Sequence, residues 1–431
     1  MLRYTGADGA RHEAAMAISK DEGVVTLDVA QLALGAQDVC FVLVKGGKEL
    51  GTATCKFTRV AQMPARAVWI DEFGRTIVNG EPFFPLGMYW GGITTNKFEI
   101  YAKGPFNCLM PYASPTSKDL MDLCHAHGVK VIYSVKDVFS GTHWAPKGVN
   151  TEADEVAYIT ARVKKFKDHP ALLAWYLNDE LPLSMLPRLS ARRDLMERLD
   201  PGHPGWVVLY QYSQIADYMP SFDVIGTDPY PIPRPAALAS TWTRATYKGT
   251  MGLKPLWQVP QAFDWAAYKK TAEEKKKCRA PTEAELRSMC WQCIACGANG
   301  LVMYSWFDLW KEPNGVPFAT RWAEVCRVGE EIKKYVPVLL ADELYGFATC
   351  AACLAAPQEN PLSVRAWRHA GEIWVLAVNS SDKPLDAQIG LSEKCASASA
   401  AFGPAPRLAE DGQKLTVPLA PLEPALVRLH R

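Results

Sequence analysis

The sequence predicts an α/β protein whose largest part is a (β/α)8 barrel, the TIM-barrel fold, with a β domain on either side of it. Three observations predict the barrel. Eight apolar, strand-like runs alternate with amphipathic, helix-like segments between Pro82 and Leu340. This alternation spans about 260 residues, which is the usual size of such a barrel. Polar or aromatic residues end almost every run, and a barrel would bring these ends together at one rim.

The eight runs are short and apolar, as buried parallel strands are. They cover residues 82–90, 106–112, 130–137, 172–180, 205–211, 223–230, 255–263 and 300–308. The clearest helical patterns between them are Glu152–Lys167 and Glu283–Cys296, where apolar residues recur three and four positions apart. An open, doubly wound sheet has the same alternation and is the alternative fold, but the polar run ends favour the closed barrel.

On either side of the barrel the pattern is that of β structure, and 431 residues are too many for one compact core. Residues 1–66 contain strand-like runs such as Val24–Val29 and Asp38–Lys45, which predict an N-terminal β domain. Asn79-Gly80 predicts a hairpin at the start of the barrel domain, residues 67–340. Residues 341–431 contain further strand-like runs, separated by Pro and Gly, and predict a C-terminal β-sandwich.

The charge balance is nearly neutral, with 47 Lys and Arg against 46 Asp and Glu. Such a chain has no broad field to attract nucleic acid or an anionic membrane, and it has no long apolar run that would span one. Its 14 Trp and 16 Tyr offer flat apolar faces that suit neutral sugar rings. The start of the chain lacks the basic and apolar regions of a signal peptide, so a secreted or periplasmic location would require a leader removed from it.

The cysteines and histidines do not form a metal-binding pattern. Cys290, Cys293 and Cys296 fall within a helical pattern and are predicted to be buried thiols, because free cysteine behaves as a small hydrophobic residue. We therefore predict no metal and no cofactor, and the sequence indicates no particular oligomeric state.

Asn178, Asp179 and Glu180 end the fourth apolar run. Hydrolysis of an acetal requires a carboxylic acid that protonates the leaving oxygen and usually a second carboxylate across the sugar. Acidic side chains at a strand end that faces the mouth of a barrel are placed for this chemistry. The alternative is an acidic turn that caps the next helix, since Asp and Glu favour helix N-termini.

Between residues 68 and 340 the chain resembles the glycoside hydrolases of clan A, especially the barrels of families 2 and 42. The resemblance rests on GRTIVNGEPFFPLGMYW (74–90), LNDE (177–180), GTDPYP (226–231) and YSWFD (304–308). It implies that Glu180 is the general acid/base, which in this clan follows an Asn on the fourth strand. Here Asp179 stands between Asn178 and Glu180 and is an alternative for that role. The resemblance also implies that Trp306 forms the floor of the sugar site.

The chain departs from this resemblance on the seventh strand, where clan A has a nucleophilic Glu. The segment PLWQVPQAFDW (255–265) presents Gln258 and Gln261 instead, and an amide cannot form the glycosyl-enzyme ester. Asp264 is the nearest substitute, but we expect it to lie in the loop beyond the strand. No carboxylate is therefore expected on the strand-seven side within about 5.5 Å of Glu180, the separation of a retaining pair.

Three possibilities then remain: a carboxylate from another strand takes part, the acetamido group of the substrate attacks, or the protein does not catalyse. Asp228 or Asp137 is expected to stand roughly 6.5 to 9.5 Å from Glu180 and to activate a water for inversion. The predicted catalytic residues are thus Glu180, Asp179 and Asp228. The predicted substrate-binding residues are Trp90, Tyr112, Asp137, Asn178, Tyr230, Gln258, Gln261 and Trp306.

The sequence therefore predicts a glycoside hydrolase that cleaves O-glycosidic bonds of an oligo- or polysaccharide. Two alternatives remain. Gln258 and Gln261 favour a non-catalytic barrel that binds carbohydrate. The Asp179-Glu180 pair favours substrate-assisted cleavage of an N-acetylated sugar, in which Asp179 orients the acetamido group and Glu180 protonates the leaving oxygen.

Overall fold

The computed structural model of this protein describes residues 1–15, 27–62, 66–350 and 360–431. Contacts between residues divide the chain into two compact units, Met1–Ala65 and Arg66–Arg431. Residues 24–26 of the predicted run Val24–Val29 lie outside the described residues. The predicted division at residues 340 and 341 falls inside the second unit and stays a prediction.

The described part of the first unit is an antiparallel sheet of four strands in the order β2-β1-β3-β4. Its strands are β1 (Leu2–Thr5), β2 (Arg11–Ala14), β3 (Gly35–Lys45) and β4 (Lys48–Arg59), with a short 3-10 helix at Val29–Gln31. The predicted run Asp38–Lys45 lies within β3. The small core of this sheet consists of Leu2, Leu32 and Val39.

The second unit begins with a three-stranded antiparallel sheet made of β5 (Val68–Ile70), β6 (Thr76–Val78) and β7 (Glu81–Phe83). Asn79 and Gly80 join β6 to β7 with φ angles of 52° and 88°. A two-residue hairpin needs left-handed backbone at both positions, which Asn and Gly adopt most readily. The predicted hairpin is confirmed.

Eight parallel strands follow and close into a barrel, with β15 pairing β8. The strands are β8 (Leu86–Gly92), β9 (Cys108–Ala113), β10 (Lys130–Ser134), β11 (Leu172–Asp179), β12 (Gly205–Leu209), β13 (Val224–Thr227), β14 (Leu256–Gln258) and β15 (Ala298–Met303). The eight predicted runs thus contain or overlap the eight strands of the barrel, and the predicted fold class is confirmed.

The helices of this unit lie between the barrel strands or directly after them. They are α1 (Thr95–Tyr101), α2 (Asp119–Ala126), α3 (Glu152–Phe166), α4 (Leu186–Leu199), α5 (Ile215–Tyr218), α6 (Leu238–Gly249), α7 (Ala272–Lys276), α8 (Glu283–Ala295), α9 (Trp306–Leu309) and α10 (Phe318–Leu339). Short 3-10 helices lie at Leu183–Met185, Met219–Ser221 and Trp265–Tyr268. Within the ranges described, no helix is both long and apolar enough to cross a membrane.

The two helices that the sequence predicts most clearly both begin with a capping box. Thr151 accepts a hydrogen bond from the Asp154 N–H at the start of α3, and Thr282 accepts one from the Glu285 N–H at the start of α8. Each acidic side chain bonds back to the Thr backbone, which satisfies amide groups that the first helical turn leaves open. Helix α8 is buried along most of its length, and its predicted buried thiols lie there and at its end.

Neighbouring side chains on the barrel strands pack on opposite faces. Tyr89, Tyr176 and Trp206 belong to a cluster drawn from all eight barrel strands and from none of the helices, which is the barrel interior. Trp90 and Trp175 belong to the outer layer between the strands and the helices. This alternation decides which of the aromatic residues near the rim can face a ligand.

The C-terminal part of the second unit consists of two antiparallel sheets. Five strands have the order β16-β18-β19-β24-β21 and four have the order β17-β20-β23-β22. A buried cluster with residues from both sheets lies between them, as in a β-sandwich. The strands are β16 (Asp342–Glu343), β17 (Ala348–Thr349), β18 (Leu362–His369), β19 (Glu372–Asn379), β20 (Leu385–Leu391), β21 (Ser397–Phe402), β22 (Arg407–Leu408), β23 (Lys414–Leu419) and β24 (Pro424–His430).

Candidate active site

Glu180 lies at the C-terminal end of β11, at the mouth of the barrel. Its backbone N–H donates to the Val208 carbonyl at 2.9 Å, which continues the pairing of β11 with β12. Its φ angle is +59°, a left-handed conformation that is costly for a residue with a Cβ atom. Residues held in such a conformation cluster at active sites and at sites that hold a ligand. Helix α4 has Met185 as its N-cap and no acidic residue in its first turn, so the predicted alternative of an acidic capping turn does not apply.

Asp228 directly follows β13, and its carboxyl group lies close enough to that of Glu180 for a hydrogen bond between the two when one of them is protonated. Asp228 is buried, with 5 % of its surface exposed, whereas Glu180 reaches the surface of the mouth. Two carboxyl groups in contact cannot both ionise readily, so the pair retains one proton over a range of pH in which an isolated carboxyl group would have lost it.

The surroundings of this pair favour the protonated forms of both acids. Burial raises the pKa of Asp228 well above its usual range, and the negative charge of Glu180 raises it further. Shielding from solvent also raises the pKa of Glu180, with a smaller contribution from Asp179, while the hydrogen bond to Asp228 and the charge of Lys136 oppose the rise. The buried partner, Asp228, is the favoured holder of the shared proton.

Lys136 connects the other two acidic side chains at the mouth. Its ammonium nitrogen lies 3.2 Å from Asp179 Oδ2 and 2.8 Å from Asp137 Oδ1, and 4.6 Å from the ring centre of Tyr112. Burial lowers the pKa of Lys136, but the two carboxylates outweigh this effect and the net shift is upward. Asp137, Asp179 and Tyr112 are therefore brought together as the sequence predicts, by a lysine that the sequence reasoning missed.

Two buried tyrosines hold Asp179 from below. The Tyr176 hydroxyl donates to Asp179 Oδ1 at 2.7 Å, and the Tyr89 hydroxyl donates to that of Tyr176 at 3.1 Å. Both oxygens of Asp179 are thus engaged, one by Tyr176 and the other by Lys136. This arrangement fixes the position of the Asp179 carboxyl group beside Glu180.

Tyrosine rings line the barrel interior beneath the acidic groups. Tyr304 lies at its centre, with its ring centroid 5.2 Å from those of Tyr89 and Tyr230 and 6.3 Å from that of Tyr112. Tyr112 and Tyr230 are predicted site residues that the structure brings together. Tyr304 was missed, although it is an aromatic residue at the end of an apolar run, two positions before Trp306.

Trp90 and Trp306 lie in the outer layer and not at the mouth. Their rings stack on each other with centroids 4.9 Å apart, and Tyr101 and Trp322 pack against Trp306. Each of the two tryptophans is only 1 % exposed. Neither has a face left for a sugar ring, because each ring is enclosed by other aromatic rings of the outer layer. The predicted floor of the sugar site is therefore not supplied by Trp306.

Gln258 and Gln261 are fully buried and are used to support the barrel wall. Gln258 accepts from the Thr227 N–H at 2.6 Å and donates to the Thr243 hydroxyl at 2.8 Å. Gln261 accepts from the Ile232 N–H at 2.8 Å. These bonds connect β14 and its loop to the neighbouring strand, helix and loop. The two amides thus do not reach a ligand in the mouth, contrary to the predicted binding role.

Asp264 lies in the loop after β14, as expected. One carboxylate oxygen accepts from the Ala266 N–H at 2.8 Å and caps the short helix Trp265–Tyr268. The other accepts from the Asn314 amide at 2.5 Å. Since both oxygens serve the loop, Asp264 is not placed as the nucleophile that the resemblance implies.

Three further polar residues lie around Glu180 or on the same rim. Asn178 is buried beneath the mouth, and its side-chain oxygen Oδ1 accepts a hydrogen bond from the Leu181 N–H at 3.1 Å. Gln211 donates to the Glu180 carbonyl oxygen at 3.3 Å. Asp308 is held by the Tyr268 hydroxyl at 2.7 Å and by Lys311 at 2.6 Å. These contacts support the rim and fix the backbone of Glu180.

Solved structures of glycoside hydrolases share this architecture. One described as a glycoside hydrolase superposes with a TM-score of 0.56 at 12 % identity over 85 % of this chain and 97 % of its own. A family 5 glycoside hydrolase from Bacteroides vulgatus gives 0.55 at 14 % identity over 84 % and 93 %. An α-amylase from Anoxybacillus gives 0.50 at 12 % identity over 78 % and 89 %.

No protein-family model matches the chain, and no curated protein sequence matches it either. At 12 to 14 % identity the likeness to the solved structures concerns the fold alone. The chain is therefore an eight-stranded parallel barrel with additional β domains whose fold is that of these glycoside hydrolases.

Proposed function

We propose that this protein is a glycoside hydrolase that cleaves O-glycosidic bonds of an oligo- or polysaccharide, with Glu180 as the group that protonates the leaving oxygen. The contact between Glu180 and Asp228 at the barrel mouth is the observation that carries the proposal. A general acid must still hold its proton at the pH at which it works. A pair of carboxyl groups that keeps one proton, with one member buried and the other at the surface, meets this requirement.

In this proposal Asp228 is a positioning residue. The buried Asp228 holds the proton at rest, and the proton moves to Glu180 when a glycosidic oxygen approaches the exposed carboxyl group. Glu180 then gives this proton to the leaving oxygen while the bond between that oxygen and the anomeric carbon breaks. In this proposal Asp228 shares a proton with Glu180, and we do not assign it the role of the base that activates a water for inversion.

The cluster around Lys136 supplies the charge that the reaction requires. Asp137 and Asp179 share one ammonium group, so the cluster carries one excess negative charge. Negative charge at the mouth stabilises the positive charge that develops on the sugar ring when the glycosidic bond breaks. Asp137 and Asp179 are also the carboxylates that we propose for accepting a proton from the attacking water, Asp137 being the less enclosed of the two.

The two alternative functions gain unequal support from the geometry. Substrate-assisted cleavage requires Asp179 to orient an acetamido group, but Tyr176 and Lys136 already occupy both of its oxygens. A non-catalytic binding barrel is consistent with the structural use of Gln258, Gln261 and Asp264. It does not account for a strained Glu180 in contact with a buried acid. That the chain belongs to glycoside hydrolase family 2 or family 42 remains a prediction.

The experiment that tests the proposed function is a turnover screen of the full chain. Aryl glycosides and a library of oligosaccharides are incubated with the purified protein, and released phenol and new reducing ends are measured. We expect turnover of at least one glycan class. A protein that melts at a higher temperature with a sugar, yet releases nothing from any glycan that binds, would be a binding module.

The shared proton predicts an effect of Asp228→Asn on the pH profile. Without the negative charge of Asp228, the carboxyl group of Glu180 loses its proton at a lower pH than the pair does, because the repulsion that retains the last proton is gone. The alkaline limb of kcat/KM is therefore expected to move to lower pH. Measuring kcat/KM against pH for the wild type, Asp228→Asn and the exposed control Glu99→Gln tests this. An unmoved alkaline limb in Asp228→Asn would contradict the shared proton.

A further inference from the structure

A cavity opens beside the barrel mouth, between the ends of β9 and β10 and the helix α3. It has a volume of about 200 Å³, room for a group the size of one sugar ring. Six of the side chains that line it decide its chemistry: Tyr112, Ser114, Asp137, Trp144, Tyr158 and Arg162. Tyr112 and Asp137 also contact Lys136, so this cavity is contiguous with the candidate active site.

Arg162 projects from α3 into this cavity as a cation without an acidic partner. It donates to the Tyr158 hydroxyl at 3.1 Å and lies over the Tyr158 ring at 5.0 Å. Among the described residues, no carboxylate lies within ion-pair distance of it. Arg188 and Arg192 on the next helix, by contrast, both pair with Glu155. A guanidinium with free donors in a cavity wall is placed to bind an anionic group of a ligand.

Trp144 provides an apolar surface at the opening of the same cavity. It lies in the loop between β10 and α3, and 72 % of it is exposed to solvent, which is exceptional for so large an aromatic residue. Its contact with another ring is edge-to-face with His143, at 4.7 Å between centroids. A flat ring left open to solvent beside a sugar-sized cavity is suited to stack on a pyranose ring.

We propose that this cavity binds an acidic sugar unit of the substrate, with Trp144 against its ring and Arg162 paired with its carboxylate or sulfate group. The inference rests on the proposed function and names its substrate class, an acidic oligo- or polysaccharide. Lys136, 2.8 Å from the Asp137 carboxylate, offsets part of the repulsion between Asp137 and such a unit. The unit bound here is the neighbour of the one whose glycosidic bond faces Glu180.

Binding of single sugars to the full chain tests the inference without requiring turnover. The probes are sodium D-glucuronate, D-glucose 6-sulfate and D-glucose, titrated by calorimetry at low salt. We expect the wild type to bind at least one of the two anionic probes about tenfold more tightly than glucose, as a charge-assisted hydrogen bond would give. Comparing glucuronate with glucose 6-sulfate shows whether the site prefers a carboxylate or a sulfate group.

Substitutions test which residues cause the tighter binding of the anionic probes. Arg162→Gln is expected to bind the anionic probes no better than glucose, and Arg162→Lys to keep part of the preference, because it retains the charge without the fork of donors. The matched control Arg198→Gln, on an exposed arginine of α4, is expected to keep the full preference. Trp144→Ala is expected to weaken all three probes by a similar factor. Melting curves of each variant establish that it is folded.

Two results would overturn the inference: equal binding of glucose and both anions by the wild type, or a preference that survives in Arg162→Gln. A protein that cleaves neutral glycans and shows no anion preference would refute this inference and leave the proposed function intact. A protein that keeps the Arg162-dependent preference but cleaves no glycan would refute the proposed function instead. The two failures are thus distinguishable.

Discussion

Glu180→Gln is expected to lower kcat on substrates with poor leaving groups by a factor on the order of 10² to 10⁴, the usual contribution of a general acid. The amide has nearly the same shape as the carboxyl group but carries no acidic proton, so ligand binding and the fold should persist. Aryl glycosides with good leaving groups need little proton assistance and should retain much more activity. The measurement compares kcat for a pair of aryl glycosides that differ only in the pKa of the released phenol.

The adjacent acid provides the critical comparison for this variant. Asp179→Asn removes a charge that is fixed by Tyr176 and Lys136, so we expect a loss that is similar for good and poor leaving groups. The exposed variant Glu99→Gln, on α1, controls for the loss of a negative charge from the barrel surface. Full activity of Glu180→Gln together with a leaving-group-dependent loss in Asp179→Asn would transfer the acid role to Asp179.

Trp306→Ala is expected to reduce the free energy of unfolding by about 3 to 5 kcal/mol, the typical cost of deleting a large buried aromatic side chain. Trp306 is 1 % exposed and contacts the rings of Trp90, Tyr101 and Trp322, so its removal leaves a cavity between the barrel and α10. Such a loss is a large fraction of the stability of a typical domain. Denaturant unfolding of the variant and the wild type measures it.

Trp144→Ala is the matched control, because the same side chain is removed from a largely exposed position. This variant should change the free energy of unfolding by no more than about 0.5 kcal/mol.

A different result for Trp306→Ala would contradict the structural role of Trp306. A Trp306→Ala protein of unchanged stability that binds sugar about 1 to 3 kcal/mol more weakly would behave as a ligand-stacking residue does. That result would restore the role that the clan A resemblance implies for Trp306.

One pair of aromatic residues shows where sequence patterns lose information. Trp306 and Tyr304 are both aromatic and both lie at the end of the eighth apolar run, and their sequence positions are almost equivalent. In the folded chain Tyr304 points into the barrel and Trp306 into the outer layer. Tyr304 directly follows β15 and Trp306 begins α9, so the two side chains belong to different elements, and the apolar pattern does not show where the strand ends and the helix begins.

The contact between Glu180 and Asp228 shows a second limit. Each residue was predicted individually, because each carboxylate follows an apolar run. Their separation was expected to fit a water molecule, whereas in the structure the two carboxyl groups are within reach of a shared hydrogen bond. Strand tilt, the register of β11 to β13 and the left-handed backbone of Glu180 set this distance, and none of them is readable from residue types. Lys136 was also missed. A lysine near a strand end is usually solvated, so its residue type gave no reason to place it between two carboxylates.

The sequence by itself determined the architecture of this protein and the group of strand ends that hold its acidic residues. Eight apolar runs, two helical patterns and the Asn79-Gly80 turn are local patterns, and local patterns decide secondary structure and the order of elements. Only the tertiary structure decided that Glu180 lies beside Asp228, that Gln258, Gln261 and Asp264 serve the barrel wall and its loop, and that Arg162 faces an open cavity. These are relations between residues far apart in the chain, and they depend on barrel closure and side-chain direction, which a one-dimensional pattern does not encode.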